Sequence, residues 1–424
     1  MKLMRILFIA FCFTVVVPCF CVAENAGQAQ LPAMTPFVTV VLRDFDRWDA
    51  NHDGVLSIGE IDKLVMDPAV KGEDAAAVAS LKLLSRNARI KQPELNRAYF
   101  VEYNQRAQAL RSHHATTMPM DATGATMDPT ATTQPAARSG RLSPDFDLYF
   151  SAGRQRLARG GPVRFTGRFV LEDTRQGPLG DCFFVASISS LAYHDPARFE
   201  KMIHAQSDGS YIVNFANADP ITLAAPTDTE LAISSTTAND GTWLAILEQA
   251  FGKYKARERG DNIEQIEGTE LIRNGGDSMP TIRALTGHTS QRFVFGKTVE
   301  YRSAHAGKML PRVREALMRG VTDHRAMTAG GVVRSKSGGE SAGTPPPIPP
   351  DILADHVYAI LNYDKATDSV EFWNPHGERF EPKGSPGIRF GYPTVHGRFN
   401  VPLTEAYQFF GAFTIEESGN TPQP

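Results

Sequence analysis

The chain has 424 residues, 42% of them hydrophobic and 21% charged, and its formal net charge is −3. That length holds two or three domains and an ample core, and the composition excludes the disordered and fibrous classes. A small charge spread along the chain leaves no basic footprint, so nucleic acid is not an expected partner.

The first 23 residues stand apart. Lys2 and Arg5 precede an apolar run, Ile6 to Val22, closed by small Ala23 before polar Glu24 and Asn25. This is the pattern of a secretory signal peptide, and it implies a secreted or periplasmic protein. The run only just reaches spanning length, so a retained anchor is the rival reading. After removal of the signal no stable membrane span is expected. Three of the four cysteines, Cys12, Cys19 and Cys21, fall inside the signal and leave Cys182 alone. No internal disulfide is then possible, and a lone thiol in an exported protein is a candidate reactive group. An oxidising compartment puts such a thiol at risk, which favours retention for chemistry over retention for packing.

Residues 24–37 read as a flexible leader, and a small helical domain is expected over 38–107. Val38, Val41, Phe45 and Trp48 recur at helical spacing and lead into the stretch Asp49 to Glu60. That stretch matches the twelve-residue EF-hand calcium loop. Asp49, Asn51 and Asp53 would supply side-chain oxygens and Val55 its backbone carbonyl. Ser57 would act directly or through water, and Glu60 would close the site as a bidentate carboxylate. Gly54 falls at the sharp turn, and Ile61, Leu64 and Val65 continue as an exit helix. The competing reading is a polar, Asx-rich turn, but each requirement of the loop is met independently. A decayed partner loop is read over Leu83 to Glu94. There Ile90 and Glu94 hold the eighth and twelfth positions, while Leu83 and Ala88 replace an acid and a glycine. Ca2+ is the implied cofactor, in the weak extracellular class of affinity, on the order of 0.1–1 mM.

Residues 108–142 are rich in Thr, Ala, Met, Pro and Gly without helical or strand period, which reads as a disordered linker. A second domain is expected over 143–419. Its central stretch runs from Gln176 to Ser187, where a Gly- and Pro-rich turn enters a helix faced by Phe184, Ile188 and Leu191. Pro196 sets its stop. Cys182 stands at the junction. A thiol on a first helical turn meets unpaired N–H groups and the positive end of the dipole, and both favour thiolate. Gln176 would place an amide donor beside the sulfur and, with the Cys182 N–H, form a two-donor oxyanion hole. The competing reading is a small buried cysteine at the start of a core helix. With donor, turn and thiol in this order, the segment resembles the nucleophile motif of calpains, papain-like cysteine proteases that carry Q-x-x-L-G-D-C-[WF]-F.

Further along, Tyr211 to Phe215 alternates like a strand. Trp243, Leu247, Ala250 and Tyr254 share one face of a buried helix that is similar to the W-x-x-L-L-E-K-A-[YF] helix of the same family. On physical grounds it is core and carries no assigned chemistry. Gly275-Gly276 and Ala284 to Gly287 also resemble the family's middle section. Residues 329–350 are a Gly- and Pro-rich insertion, in a position where long loops serve as lids or processing sites; a surface excursion without function is the equal alternative.

Asp355 to Tyr363 is an apolar strand, Asp364 to Asp368 a turn, and Ser369 to Pro375 a returning strand. Strand alternation then puts His356 and Asn374 on one face at the open end of the hairpin. There Asn374 orients the imidazole that deprotonates Cys182. The order Cys, His, Asn is the papain-like one, and the pattern resembles H-x-Y-x-[VI] followed by N-P-x-G. Two positions depart from it: Asp355 replaces a glycine, and His376 replaces the tryptophan that shields the His–Asn bond. Trp373 is expected on the opposite face.

The fold expected from this resemblance is α+β. A papain-like catalytic domain, with a helical subdomain and a β-rich subdomain, follows the small α-helical EF-hand domain. The function it implies is that of an exported cysteine endopeptidase on protein or peptide substrates, with calcium regulation open. Cys182 would be the nucleophile, His356 the base and acid, Asn374 the orienter and Gln176 the oxyanion donor. The alternative is a non-catalytic, calcium-binding module that binds peptides or adheres through the same scaffold. Acyl transfer to an amine would use the same thioester and is not separable by sequence.

Overall fold

Thr35 starts the first helix: its hydroxyl accepts from the Val38 N–H, and Pro36 takes the first turn, where a missing donor costs nothing. Helix α1 (Pro36–Trp48) buries Phe37, Val38, Val41, Phe45 and Trp48, the face that the sequence spacing selects. These observations come from a computed structural model that describes residues 34–85, 93–117, 145–159, 169–237, 241–332 and 343–417. The expected signal peptide (1–23), most of the leader, residues 118–142 of the linker and residues 333–342 of the insertion lie outside the described residues.

Helix α2 (Ile58–Met66) begins at a reciprocal capping box between Ser57 and Glu60, which satisfies two orphan donors at once. Helices α3 (Gly72–Ser85), α4 (Arg97–Thr117) and α5 (Phe146–Arg159) follow. Two expectations are corrected here. The first loop pairs one residue beyond the stretch read as its decayed partner, of which residues 86–92 lie outside the described residues. Leu56 N–H donates to the Leu95 carbonyl (3.0 Å) and Val55 bridges Asn96, whereas Ile90 lies outside the described residues. The sequence register followed the acid at Glu94, but backbone pairing follows the buried apolar side chains of Leu56 and Leu95. The linker also begins later than residue 108, because α4 runs to Thr117. Asn96 caps its start through the Tyr99 N–H (2.8 Å), Phe100 and Tyr103 are buried, and residues 97–117 hold no Gly or Pro to stop propagation.

From Met34 onward the chain forms one compact unit. The aromatic cluster of α1, α4 and α5, in which Phe37 stacks on Phe146 at 5.0 Å, continues into Leu179, Ala232 and Ile233. Thr227 Oγ1 donates to the Val65 carbonyl (2.6 Å), and Gly72 N–H donates to Asp228 (2.9 Å). The helices around the 49–60 loop therefore share a core with the turn before Cys182.

Helix α6 (Cys182–His194) is buried along almost its whole length. After α7 (Pro196–Glu200), a small antiparallel sheet joins β1 (Ile203–Ala205), β2 (Tyr211–Val213) and β3 (Ile221–Leu223). Helix α8 (Asp228–Ile233) packs on α2, α3 and α5, while α9 (Trp243–Arg259) and α10 (Ser278–Thr286) share the core of α6. The remaining elements are β4 (Ser290–Val294), α11 (Val299–Thr322), β5 (Met327–Gly331), β6 (Val357–Asp364), β7 (Ser369–Trp373), β8 (Arg398–Pro402), α12 (Leu403–Phe409) and β9 (Phe410–Glu416). Their strands form a six-stranded antiparallel sheet in the order β4-β9-β5-β6-β7-β8. One face of β5 and β6 meets α6, while α11 covers β6 and β9. Two apolar cores result. Ala359, Leu361 and Trp373 face the α6 side, and Tyr358, Ile360 and Phe372 face the α11 side. The class is α+β.

Candidate active site

The turn that presents Cys182 is held by backbone bonds on every side. Gln176 N–H donates to the Pro375 carbonyl (2.8 Å), Gly177 N–H to Ser235 Oγ (3.0 Å) and Gly180 N–H to the Arg273 carbonyl (2.8 Å). A Cβ at Gly180 would lie 2.6 Å from that carbonyl oxygen, so no larger residue fits without moving the strand of chain behind it. Cys182 is then the first residue of α6, 9% exposed. The backbone N–H of Val357, the residue after His356, acts on the Cys182 thiol, which lies near the start of β6. Burial pushes the thiol up to about 11. The Val357 N–H and those of the α6 start work against that rise, and negative charge on the neighbouring Asp181 carboxyl would add to it.

His356 sits immediately before β6 and is 7% exposed. Its Nε2 lies 2.9 Å from Asn374 Oδ1. The same oxygen accepts from the backbone N–H of His376 (3.1 Å), which identifies it as the amide carbonyl rather than the amide nitrogen. Nε2 must therefore carry the hydrogen, and Nδ1 is left with a lone pair. Asn374 is buried, and its N–H donates to the Gly397 carbonyl (2.8 Å). The hairpin reaches this arrangement through a detail the alternation rule does not contain. Tyr363 pairs with Val370 near the turn, but an irregularity between Ile360 and Asn362 shifts the register so that Ala359 faces Trp373. That shift sets Tyr358 opposite Asn374 at the open end.

The imidazole is enclosed by two rings. Tyr358 meets it edge-on at 4.9 Å, and His376 lies tilted over it at 4.6 Å. His376 thus covers the ring at the position where the resemblance expects tryptophan. Burial, with the His376 ring second, lowers His356 to about 3. Burial also lowers His376. Burial thus disfavours the charged form of both the thiol and the imidazole. Trp373 is fully buried in the α6 core, with its Nε1 donating to the His396 carbonyl (3.1 Å).

Gln176 is on the same turn, but its amide is engaged locally. Nε2 donates to the Leu179 carbonyl (2.8 Å) and to Asp181 Oδ1 (3.1 Å), and Oε1 is buried without a partner. One residue escaped the sequence reading. Glu248, in the middle of the helix assigned to core alone, is fully buried and accepts from the Ser235 N–H with both oxygens (3.0 and 3.2 Å). The available signal was an acid among the apolar positions Leu244, Ile246, Leu247 and Ala250 of a buried helix.

The 49–60 loop lies apart from these residues in sequence and carries only oxygen donors. Asp49 accepts from Gly54 N–H (2.8 Å) and Asp53 N–H (3.2 Å), and Asp53 accepts from Val55 N–H (2.9 Å). Glu60 accepts from Asn51 N–H (3.2 Å), Ser57 N–H (2.9 Å) and Ser57 Oγ (2.7 Å). These bonds outweigh burial and hold the Glu60 carboxyl below its ordinary range. Gly54 takes φ +82°, at the position where the loop must turn. Among the described residues no three His, Cys, Asp or Glu side chains converge as a metal cluster. The donor set is nonetheless that of a hard cation: three carboxylates, an amide, a hydroxyl and the Val55 carbonyl, with no sulfur or imidazole. Among the described residues no helix is long and apolar enough to cross a membrane.

A family model described as calpain family cysteine protease matches residues 162–386, more than half of the chain. The match spans Gln176, Cys182, His356 and Asn374. No curated protein matches the chain.

Proposed function

Because the chain belongs to the calpain family of cysteine proteases, we propose that it is an endopeptidase that cleaves protein substrates through Cys182, His356 and Asn374. The observation that carries this reading is the His356–Asn374 bond of 2.9 Å, set at the end of β6 that also lies near the Cys182 thiol. In this mechanism Nδ1 of His356 takes the thiol proton as Sγ attacks the scissile carbonyl. The oxyanion is held by the Cys182 N–H and by Gln176 Nε2, which exchanges the Leu179 carbonyl or Asp181 for the new acceptor. Collapse breaks the C–N bond, and His356 returns its proton to the leaving amine. Water, deprotonated by the same imidazole, then cleaves the thioester. The fold fits a papain-like division, with α6 in a helical half, His356 and Asn374 in a β-rich half, and the substrate between them.

Iodoacetamide is expected to label Cys182 and to abolish cleavage of an unfolded protein in proportion to labelling; cleavage by the fully labelled enzyme would overturn the assignment. Asn374→Ala removes the acceptor of both His356 Nε2–H and the His376 N–H. Turnover should fall by about 100-fold, with KM changed far less, because the amide touches the base and not the substrate. A larger change in KM than in kcat would place Asn374 in binding.

For the N-terminal region we propose an EF-hand that takes Ca2+ through Asp49, Asn51, Asp53, Val55, Ser57 and Glu60. There the ion would supply charge neutralisation among three carboxylates. Glu60→Gln should weaken calcium binding by about tenfold or more, read by calorimetry, since ligand charge sets affinity in such loops. Equal affinity would remove Glu60 from the ligand set. The N-terminal sequence supports export, and a protein that leaves the cell with residues 1–23 removed is the expected result on mass spectrometry.

A further inference from the structure

Two carboxyl groups stand behind the nucleophile, both fully buried: Asp181, the residue before Cys182, and Glu248 of α9. Asp181 holds the N-cap position of α6, yet its side chain makes no capping bond, although aspartate at that position ordinarily accepts from the first turn. The carboxyl turns inward instead. Oδ1 accepts from Gln176 Nε2 (3.1 Å), Oδ2 is buried with no N–H or O–H partner, and Glu248 is the carboxyl that acts on this group. Glu248 in turn accepts from the Ser235 N–H, whose own hydroxyl receives the Gly177 N–H (3.0 Å). The two acids thus tie α9, the residue before α6 and both ends of the Gln176–Asp181 turn into one network.

A carboxyl–carboxyl bond needs one proton, because a carboxylate has only acceptors. Two adjacent buried carboxylates cannot both be charged. The surroundings decide which one is. Arg156 of α5, half-buried, favours charge on Glu248, and the Ser235 N–H donates to both oxygens of that group, so Glu248 is the better placed anion and Asp181 the better placed acid. Burial first, and Glu248 second, raise Asp181 well above the ordinary carboxyl range. The other ionisable groups that face this corner are the Cys182 thiol itself and, across from the thiol on β6, Tyr358.

The consequence falls on the sulfur. A negative Asp181 beside Cys182 opposes thiolate formation, whereas a neutral one leaves the α6 N–H groups to act on the sulfur unopposed. We propose that Glu248 is a positioning residue for the nucleophile: by accepting the Asp181 proton in a shared bond, it keeps the residue before Cys182 uncharged and locks the turn that carries Gln176. This rests on the reading of Cys182 as nucleophile, and the test separates the two.

The test is the pH profile of Cys182 alkylation by iodoacetamide in the full chain. Glu248→Gln keeps the size and an acceptor for Ser235, but it offers Asp181 an N–H in place of a carboxylate, so Asp181 ionises. The midpoint should rise by about one pH unit, which is about a tenfold slower reaction at neutral pH. Asp181→Asn imitates the protonated acid, donating to Glu248 and accepting from Gln176, and its midpoint should stay at the wild-type value. An unmoved midpoint in a folded Glu248→Gln protein overturns the proposal. So does a midpoint that falls in Asp181→Asn, because that would mean Asp181 had been charged; this second arm decides the matter if Glu248→Gln does not fold. A wild-type thiol that iodoacetamide never reaches would overturn the nucleophile reading and this one together. A reactive thiol with an unmoved Glu248→Gln profile removes this one alone.

Discussion

Cys182→Ala is expected to lose all measurable cleavage of an unfolded protein, a drop of about 10³-fold or more, while remaining folded. The chemical side of this expectation is that no other group can form the thioester: the remaining cysteines, Cys12, Cys19 and Cys21, fall within the expected signal peptide. The structural side is that the change removes one sulfur atom from a buried site at the start of α6. The backbone bonds there, from Phe184 and Val185 N–H to the Asp181 carbonyl, do not involve the side chain. The stability cost is about 1 kcal/mol, small against the loss in rate. Circular dichroism and a melting curve should therefore match wild type closely while the protease assay falls to background. Residual cleavage in the variant would sink the catalytic assignment. If wild type itself cleaved nothing and its thiol resisted alkylation, the scaffold would be better read as a peptide-binding module.

Lys82→Met should destabilise the protein by about 3–5 kcal/mol, the largest stability effect expected of any single change outside the apolar cores. The ammonium of Lys82, 1% exposed, lies 2.8 Å from Asp62, 2.9 Å from Glu270 and 3.3 Å from Glu267. Glu267 is itself as deeply buried, so deleting the cation leaves uncompensated negative charge in the interior. Burial alone would lower the lysine, but Glu267, Asp62 and Glu270 together raise it above 10.5. A raised folded-state value means the contribution is complete at neutral pH and is lost only as pH climbs through that value. The cage also joins two parts of the chain that the sequence separates by a long linker. Arg273, beside it, donates to the carbonyls of Lys82 (3.4 Å) and Leu83 (3.3 Å), while its own carbonyl receives the Gly180 N–H two residues before Cys182. Urea unfolding should show the loss of stability, and alkylation of Cys182 should slow under conditions where the variant is still folded. Unchanged unfolding would show that the three acids find other partners or protonate.

The chemistry-bearing stretches were legible because each depends on short-range geometry. The Cys182 thiol sits on the first turn of α6, a placement set by a few consecutive residues and the Gly-Pro turn before them. His356 and Asn374 meet because strand alternation and one hairpin turn put them on the same face. Even so, the pairing irregularity between Ile360 and Asn362, which sets the register at the open end, left no mark in the alternation. The loop from Asp49 to Glu60 was equally local, down to Gly54 at a positive φ. What failed was of longer range. Leu56 meets Leu95, one residue beyond the stretch read as the decayed partner loop, since burial and not acid spacing selected the pair. The linker lost its first residues to α4, because Phe100 and Tyr103 packed into a core that no apolar period in the chain had marked.

By itself, then, the sequence determined the order of Cys182, His356 and Asn374, the oxygen-rich loop, and the membership of each helix and strand that a single apolar period defines. Only the tertiary structure decided that the N-terminal helices share their core with Leu179, that His376 roofs the His356 imidazole, that Gln176 spends its amide on Leu179 and Asp181, and that two buried acids lie behind the thiol. The physical reason is the same in every case. A charge or amide inside a protein must be satisfied by whichever group is buried beside it, and for Lys82 with Glu267 or Asp181 with Glu248 that neighbour is brought in by packing from far along the chain.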